Sequence, residues 1–400
     1  MKNLKLGLKM SIGFALVTVM LIVVGVIGYS SVNQVDHNKE RLEAAALTAI
    51  AAQNIQQAVQ HDMLLVMDYL AAADHEHLNA LQEEHHANVK EFDSFVQAIM
   101  KGGTIEGIDY LASETPEVRS MLEEIDRIHD RNFSPPVGKL YAVMVENINA
   151  RELLEVQMQA FETAYERMIE NTESFEKQIK DYIETRKQQG ATASSIMNTE
   201  NTWADLSMEI KSTVTLSRVA IEEYVQSLDR NDLDSFKAEY DETIKEFDYW
   251  LDALRNGAVT DEGRIAKVNN PQILAALEFL EENHDGAFQK AALKLMGAQD
   301  IIAKQASQLS SLDQQADAIG SMLMKKIEKL VKTSDELMHT ASIEAAEVSS
   351  TARSSSIVAI VIGIIISVVL GFFITRSITL PIKGAVKIAD ALANGNLTIT

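Results

Sequence analysis

The sequence predicts an all-α protein: two transmembrane helices flank an outer domain of two duplicated, stacked four-helix-bundle modules with long shared helices. Three observations predict it. Uncharged apolar runs stand near both chain ends, the region between them matches itself, and the composition favours helix, with only 5 prolines in 400 residues.

The second apolar run extends from Ser354 to Thr375 without an ionisable side chain, and roughly 20 apolar residues suffice to cross a bilayer core as a helix. The first covers Met10 to Val35 and is almost wholly aliphatic from Leu16 to Ile27. An uncleaved anchor fits it better than a secretory leader. The run is long for a leader's apolar centre, and Gly28-Tyr29-Ser30-Ser31 is a poor cleavage site. Lys2, Lys5 and Lys9 flank the first span, and Arg376, Lys383 and Lys387 flank the second, whereas the opposite flanks hold Asp36 and a lone Arg353. Basic flanks mark the cytoplasmic side, so both ends are expected inside and residues 36–353 outside, in a cell inner membrane. The expected division is 1–9 cytoplasmic, 10–31 first span, 32–190 outer module 1, 191–353 outer module 2, 354–375 second span and 376–400 a cytoplasmic connector.

Charge and cysteine content restrict function. The chain has a formal charge of -22, and the outer region alone holds 30 basic against 57 acidic residues. Such a surface repels nucleic acid and anionic lipid. With no cysteine there is neither a disulfide framework nor thiol chemistry, so the outer domain must be held by core burial.

Sliding the sequence by 155 positions aligns Tyr69 with Tyr224, Lys90-Glu91-Phe92-Asp93 with Lys245-Glu246-Phe247-Asp248, Gly102 with Gly257, Pro116 with Pro271, His129 with His284 and Phe133 with Phe288. No gap is needed, which is the mark of one supersecondary unit used twice. In the first copy a helix from about Val32 is expected to reach Ala73, with Asp74 capping the next and Gly102-Gly103 ending it. Pro116 starts a short helix, Ser134-Pro135-Pro136 should interrupt, and a long helix should run from about Val137 to Gly190. The second copy has breaks at Asp229 to Asp232, Asn256-Gly257, before Pro271 and around Asp285-Gly286. The long helices are expected to reach roughly 60 to 100 Å. In the last outer helix Leu309, Ala316, Leu323, Leu330 and Leu337 recur every seven residues beside Leu312 and Ile319. That spacing fits a core stripe within one subunit and a dimer seam equally.

After the second span comes Arg376-Ser-Ile-Thr-Leu-Pro381-Ile, then an amphipathic stretch and Gly395-Asn-Leu397. With the N-terminal anchor and helical outer domain, this resembles a bacterial transmembrane receptor of the methyl-accepting chemotaxis type, and the connector resembles the start of a HAMP domain. In that resemblance Pro381 is the signature proline, Ile378, Ile382, Ala385, Ile388 and Leu392 approximate the core stripe, and Gly395 and Leu397 match the connector's Gly-x-Leu. Asn396 departs from the usual acidic residue. The outer region is similar in architecture to helical bimodular sensor domains. The resemblance implies a homodimer that controls a histidine kinase through a cytoplasmic adaptor, with Arg376, Pro381, Gly395 and Leu397 relaying the signal. It places the output module beyond Thr400. The same input end would suit a sensor histidine kinase or nucleotide cyclase, and a structural envelope protein without ligand is a third class.

No phosphate loop, His-Glu-x-x-His motif or nucleophile elbow occurs, so neither catalysis nor a cofactor is expected. His61, His75, His77, His85 and His86 cluster among acidic residues, and His77 and His85 are candidate metal ligands two helical turns apart. The plain alternative is a solvated surface. For a small-molecule ligand, positions where the copies differ are freest to specialise. Arg218 replaces Met63 in the alignment, lies near Thr215 and Tyr224 in helical spacing, and would suit the carboxylate of an organic acid. Trp250 faces Phe95 across the repeat, and Arg151 and Arg167 are further candidates. Arg218 would otherwise pair with a neighbouring Glu.

Overall fold

The computed structural model describes residues 6–260 and 263–393. It is all-α: α1 Leu6–Ala71, α2 His75–Lys101, α3 Pro116–Ile128, α4 Ser134–Gln188, α5 Ala193–Met197, α6 Glu200–Gln226, α7 Arg230–Asn256, α8 Pro271–Asn283 and α9 Gln289–Ala393. Two hairpins of three-residue strands, β1 Gly103–Ile105 with β2 Ile108–Tyr110 and β3 Ala258–Thr260 with β4 Gly263–Ile265, follow α2 and α7. Turns of π-helix, His129–Phe133 and His284–Phe288, join α3 to α4 and α8 to α9.

The repeat is visible residue by residue. The helices α2 and α7 begin at His75 and Arg230, the hairpins at Gly103 and Ala258, the short helices at Pro116 and Pro271, and the π-turns at His129 and His284. Each pair is 155 residues apart, the spacing of the sequence self-match. Local chemistry explains the shared boundaries. Asp74 Oδ1 accepts from the His77 amide at 2.8 Å, and Asp229 Oδ1 from the amides of Asn231 and Asp232, capping α2 and α7. Gly102 and Gly257 end those helices at φ +79° and +82°, and a Cβ there would come within 3.1 Å of Tyr110 O or 3.2 Å of Ile265 O.

Two expected breaks are absent. The chain stays helical through Ser134-Pro135-Pro136 and through Asp285-Gly286, because a π-turn absorbs one extra residue where an interruption was expected. The Ser134 hydroxyl and amide both bond His129 O. The second π-turn has Lys290 and Ala291 where the first has prolines, so the bulge belongs to the repeat and not to proline alone. The hairpins were not foreseen; three-residue strands are too short for alternation to register.

The chain forms two compact units. One comprises residues 1–60, 89–127 and 322–400; among its fully buried side chains are Ile55, Phe92, Leu122, Leu323 and Leu330. The other comprises residues 61–88 and 128–321, with one core around Trp203, Phe161, Phe175, Phe247 and Phe288 and another around Tyr69, Phe133 and Leu140. Leu309, Ala316, Leu323 and Leu330 are buried within the chain, so the heptad stripe serves as intrachain core. Burying a leucine is worth about 1.5–3 kcal/mol. The 105-residue α9 has a contour of roughly 160 Å at 1.5 Å per residue, longer than expected because the outer helix, apolar run and connector form one helix.

Both apolar runs lie in helices long and apolar enough to cross a membrane. They lack the cover of a soluble core helix: Phe14, Leu21 and Val368 are 66%, 68% and 65% exposed. The two runs approach through small residues, Gly13 against Ile374 and Gly363 against Met20.

Gly102→Ala and Gly257→Ala are each expected to cost roughly 1–3 kcal/mol, since each combines a left-handed backbone with a backbone contact that cannot yield. Chemical denaturation should show losses of similar size at the two sites, because the hairpins share one geometry.

Candidate functional site

A cavity of about 670 Å³ lies within the first unit. Its walls are α1 at His37 to Thr48, the segment Leu111 to Pro116 between β2 and α3, and α9 at Ser334, Leu337 and Ala341. The segment is pinned by the Ser113 amide donating to Ile99 O at 2.8 Å. The hydroxyl of the fully buried Ser334 has no hydrogen-bond partner. Thr48 turns its hydroxyl back onto Ala44 O, and Arg41 pairs with Glu344 at 3.1 Å. The lining mixes alanines, Leu111 and Leu337 with the charged Glu40, Arg41 and Glu114 and with hydroxyls, and its size is that of small-molecule sites generally.

The residues singled out in the sequence lie elsewhere. Arg218 on α6 pairs with Glu162 and Glu222 and lies 4.7 Å from the centre of the Tyr165 ring, so its guanidinium is engaged inside the chain. Thr215 bonds Lys211 O on its own helix, and the Tyr224 hydroxyl donates to Asp300, which Arg230 also holds. Trp250 packs edge-on to Tyr249, and Arg151 is exposed. None of these lines the cavity. Arg167 lines a smaller one of about 260 Å³ with Lys290 and Lys294. His77 is exposed and His85 buried, so the structure does not bring them together. The other clustered histidines have separate partners: His61 contacts Glu84, His75 contacts Asn149, and His86 contacts Gln82. Arg376 and Pro381 continue α9, while Gly395 and Leu397 lie outside the described residues.

His85 belongs to a group that the sequence did not disclose. Its Nδ1 lies 2.9 Å from Asp62 Oδ1, and His129 Nε2 lies 3.6 Å from Asp62 Oδ2. Asp62 and His129 are fully buried. Burial works to raise the Asp62 carboxyl, but its contacts with His129 and His85 prevail and hold it below the usual carboxylate range. Burial works to lower His129, and Asp62 and Asp130 overcome it and raise the imidazole. In the second copy these positions are Ser217, Tyr240 and His284, and Ser217 shares a neutral 2.7 Å hydrogen bond with Thr243. Comparing the copies position by position would have flagged the change from Ser217 to Asp62. Atoms of Asp248, His284 and Asp285 lie within 4.8 Å of one another, close enough to share a metal ion. Gln289 also bonds His284 Nδ1 and Asp285 Oδ1, while the buried His284 Nε2 has no hydrogen-bond partner.

Residues 3–102 match a family described as a four-helix-bundle sensory module for signal transduction. The match takes in α1 and α2, and with α1 the cavity wall from His37 to Thr48. No curated relative matches the chain. Among solved structures, the sensor domain of the V. parahaemolyticus histidine kinase TorS is similar, with 9% identity, coverage of 72% of this chain and 99% of that one, and a TM-score of 0.47. The TorS sensor domain in complex with TorT in the presence of TMAO is similar at 13% identity, the same coverage and a TM-score of 0.46.

The buried group sets a pH dependence. The depressed Asp62 contributes stability that is present above its unfolded value of about 3.9 and lost as pH falls through its lower folded value. The raised His129 contributes stability fully present below about 6.5 and lost as pH rises through its higher folded value. The melting temperature should therefore decline as pH rises above about 6.5, and His129→Gln should flatten that alkaline arm. An unchanged arm in the variant would remove His129 as its source.

Proposed function

We propose that this chain is the sensory input half of a transmembrane chemoreceptor. An extracytoplasmic small molecule binds the outer domain, and the resulting helix displacement passes through the second span to a HAMP domain and a cytoplasmic module controlling chemotaxis. The observation that carries this reading is that the cavity is walled by both α1 and α9, the two helices that contain the apolar runs. A ligand touching both can favour one arrangement of the pair over another, and it shifts the balance only by its differential affinity, commonly about 1–3 kcal/mol. The match of residues 3–102 to a sensory module and the Arg376 to Leu397 resemblance support the direction of signalling.

In this reading the chain is not itself an enzyme. It works as a membrane-embedded homodimer, and an adaptor protein and histidine kinase act downstream of it. An input region serving a sensor histidine kinase or cyclase would share every feature of the outer domain, and a structural envelope protein would need no cavity walled by both helices that carry the apolar runs. Cells lacking the receptor should swim normally but lose taxis toward its ligand; intact taxis with lost ligand-dependent transcription would favour a sensor kinase instead. Because the chain has no cysteine, single cysteines report topology directly. A membrane-impermeant maleimide should label Ser94→Cys in intact spheroplasts and leave Lys383→Cys unlabelled, and the reverse pattern would overturn the orientation.

A further inference from the structure

The second copy of the repeat contains the same corner as the cavity, and there the chain fills it. At the positions of Thr48 and Leu337 stand Trp203 and Tyr182, and at those of Ala45 and Ala341 stand Glu200 and Arg186, each 155 residues away. Trp203 is fully buried, its ring stacks on Tyr182 at 6.2 Å, and its Nε1 donates to Ala266 O at 2.6 Å. Arg186 Nε bonds the buried Glu200 at 2.8 Å. The pinning bond is also repeated, the Val268 amide to Leu254 O at 2.8 Å, so the backbone frame is alike while its contents differ. In the first copy all four large side chains are replaced by smaller ones. Apolar Ile179 and Val268 become Ser334 and Ser113, and Ser334 is buried without a hydrogen-bond partner. The corner is an open cleft, and one emptied of large side chains and made more polar has the character of a site for something else.

We infer that the cavity binds a small aromatic molecule carrying an N–H or O–H donor, and that this molecule takes the place Trp203 occupies in the other copy. Its ring lies against Leu337 and the alanines of α1, its donor meets the Leu111 carbonyl as the Trp203 indole meets Ala266 O, and Ser334 supplies a further polar contact. Glu40 and Glu114 line the cavity, while its Arg41 is already paired with Glu344, so an ammonium tail is favoured over a carboxylate tail. The class is therefore aromatic amines. This rests on the sensory reading and specifies its ligand.

The test uses the full chain in lipid nanodiscs, with tryptamine, indole, indole-3-acetate and the non-aromatic cyclohexylamine as probes. Tryptamine should raise the melting temperature and bind at least tenfold more tightly than indole-3-acetate or cyclohexylamine. Thr48→Trp should refill the corner, raise the melting temperature without ligand and abolish tryptamine binding. If Thr48→Trp fails to fold, Leu337→Tyr should weaken tryptamine at least tenfold, and Ser334→Ala should weaken it severalfold. Tryptamine binding undiminished in Thr48→Trp or Leu337→Tyr would overturn the site. If cyclohexylamine or a carboxylate binds in its place and is lost in Thr48→Trp, the aromatic class falls while the sensory reading stands. A carboxylate that binds equally to both proteins overturns the inference and directs attention to the Arg167 cavity. No binding by any probe overturns the aromatic class and leaves the taxis experiment to judge the sensory reading.

Discussion

Continuity of the helix is the constraint on which the rest depends. From Gln289 to Ala393 the backbone of α9 makes one run, and within it a buried stripe, the cavity wall, an apolar run and Pro381 follow in order. A helix is stiff along its axis, because sliding one turn past the next would break the i to i−4 bonds on every side. A change in packing at Ser334 or Leu337 is therefore carried along the rod. The same holds for α1, whose apolar run and cavity wall lie in one helix. Sequence chemistry keeps these rods intact: no proline or glycine pair interrupts either between the cavity and its apolar run, and where the runs meet Gly13 faces Ile374 and Gly363 faces Met20.

Duplication supplies an internal control that most single domains lack. Where both copies keep a residue, as at the capping aspartates and the left-handed glycines, the reason is backbone geometry, which any copy needs. Divergence at a buried position calls for another account. Ser217 bonded to Thr243 is a neutral solution to burying polar atoms, whereas Asp62 between His85 and His129 puts titratable groups in the same place. Trp203 over Tyr182 completes one core, whereas Thr48 and Leu337 leave the other open. Copy-to-copy difference at fixed backbone thus separates what holds the fold from what is free to act.

Much of the fold was legible beforehand. The apolar runs, the 155-residue register, the cap at Asp74, the break at Asp229 and the stops at Gly102, Gly190 and Gly257 all rest on local chemistry that a sequence displays. The π-turns were misread as breaks because proline and glycine signal lost hydrogen bonds without saying whether an extra residue will absorb them. Periodicity could not decide what covers the Leu309 to Leu330 stripe; burial within the chain did. The site was the least legible. Arg218 was attractive as an isolated cation in an apolar helix, but Glu162 comes from a helix 56 residues away, and only folding pairs them. The cavity is defined by residues that are small, and Thr48, Ala45 and Ala341 carry no chemical signal until set against Trp203, Glu200 and Arg186.

The central claim is that filling the corner between α1 and α9 moves one helix relative to the other where they approach the membrane. The most direct measurement is the distance between spin labels at Asn33→Cys and Ser349→Cys, read by double electron–electron resonance on the full chain in nanodiscs. The account predicts that tryptamine and, independently, Thr48→Trp shift the distance distribution in the same direction. Identical distributions in the empty, tryptamine-treated and Thr48→Trp proteins, with the corner independently shown to be filled, would contradict it.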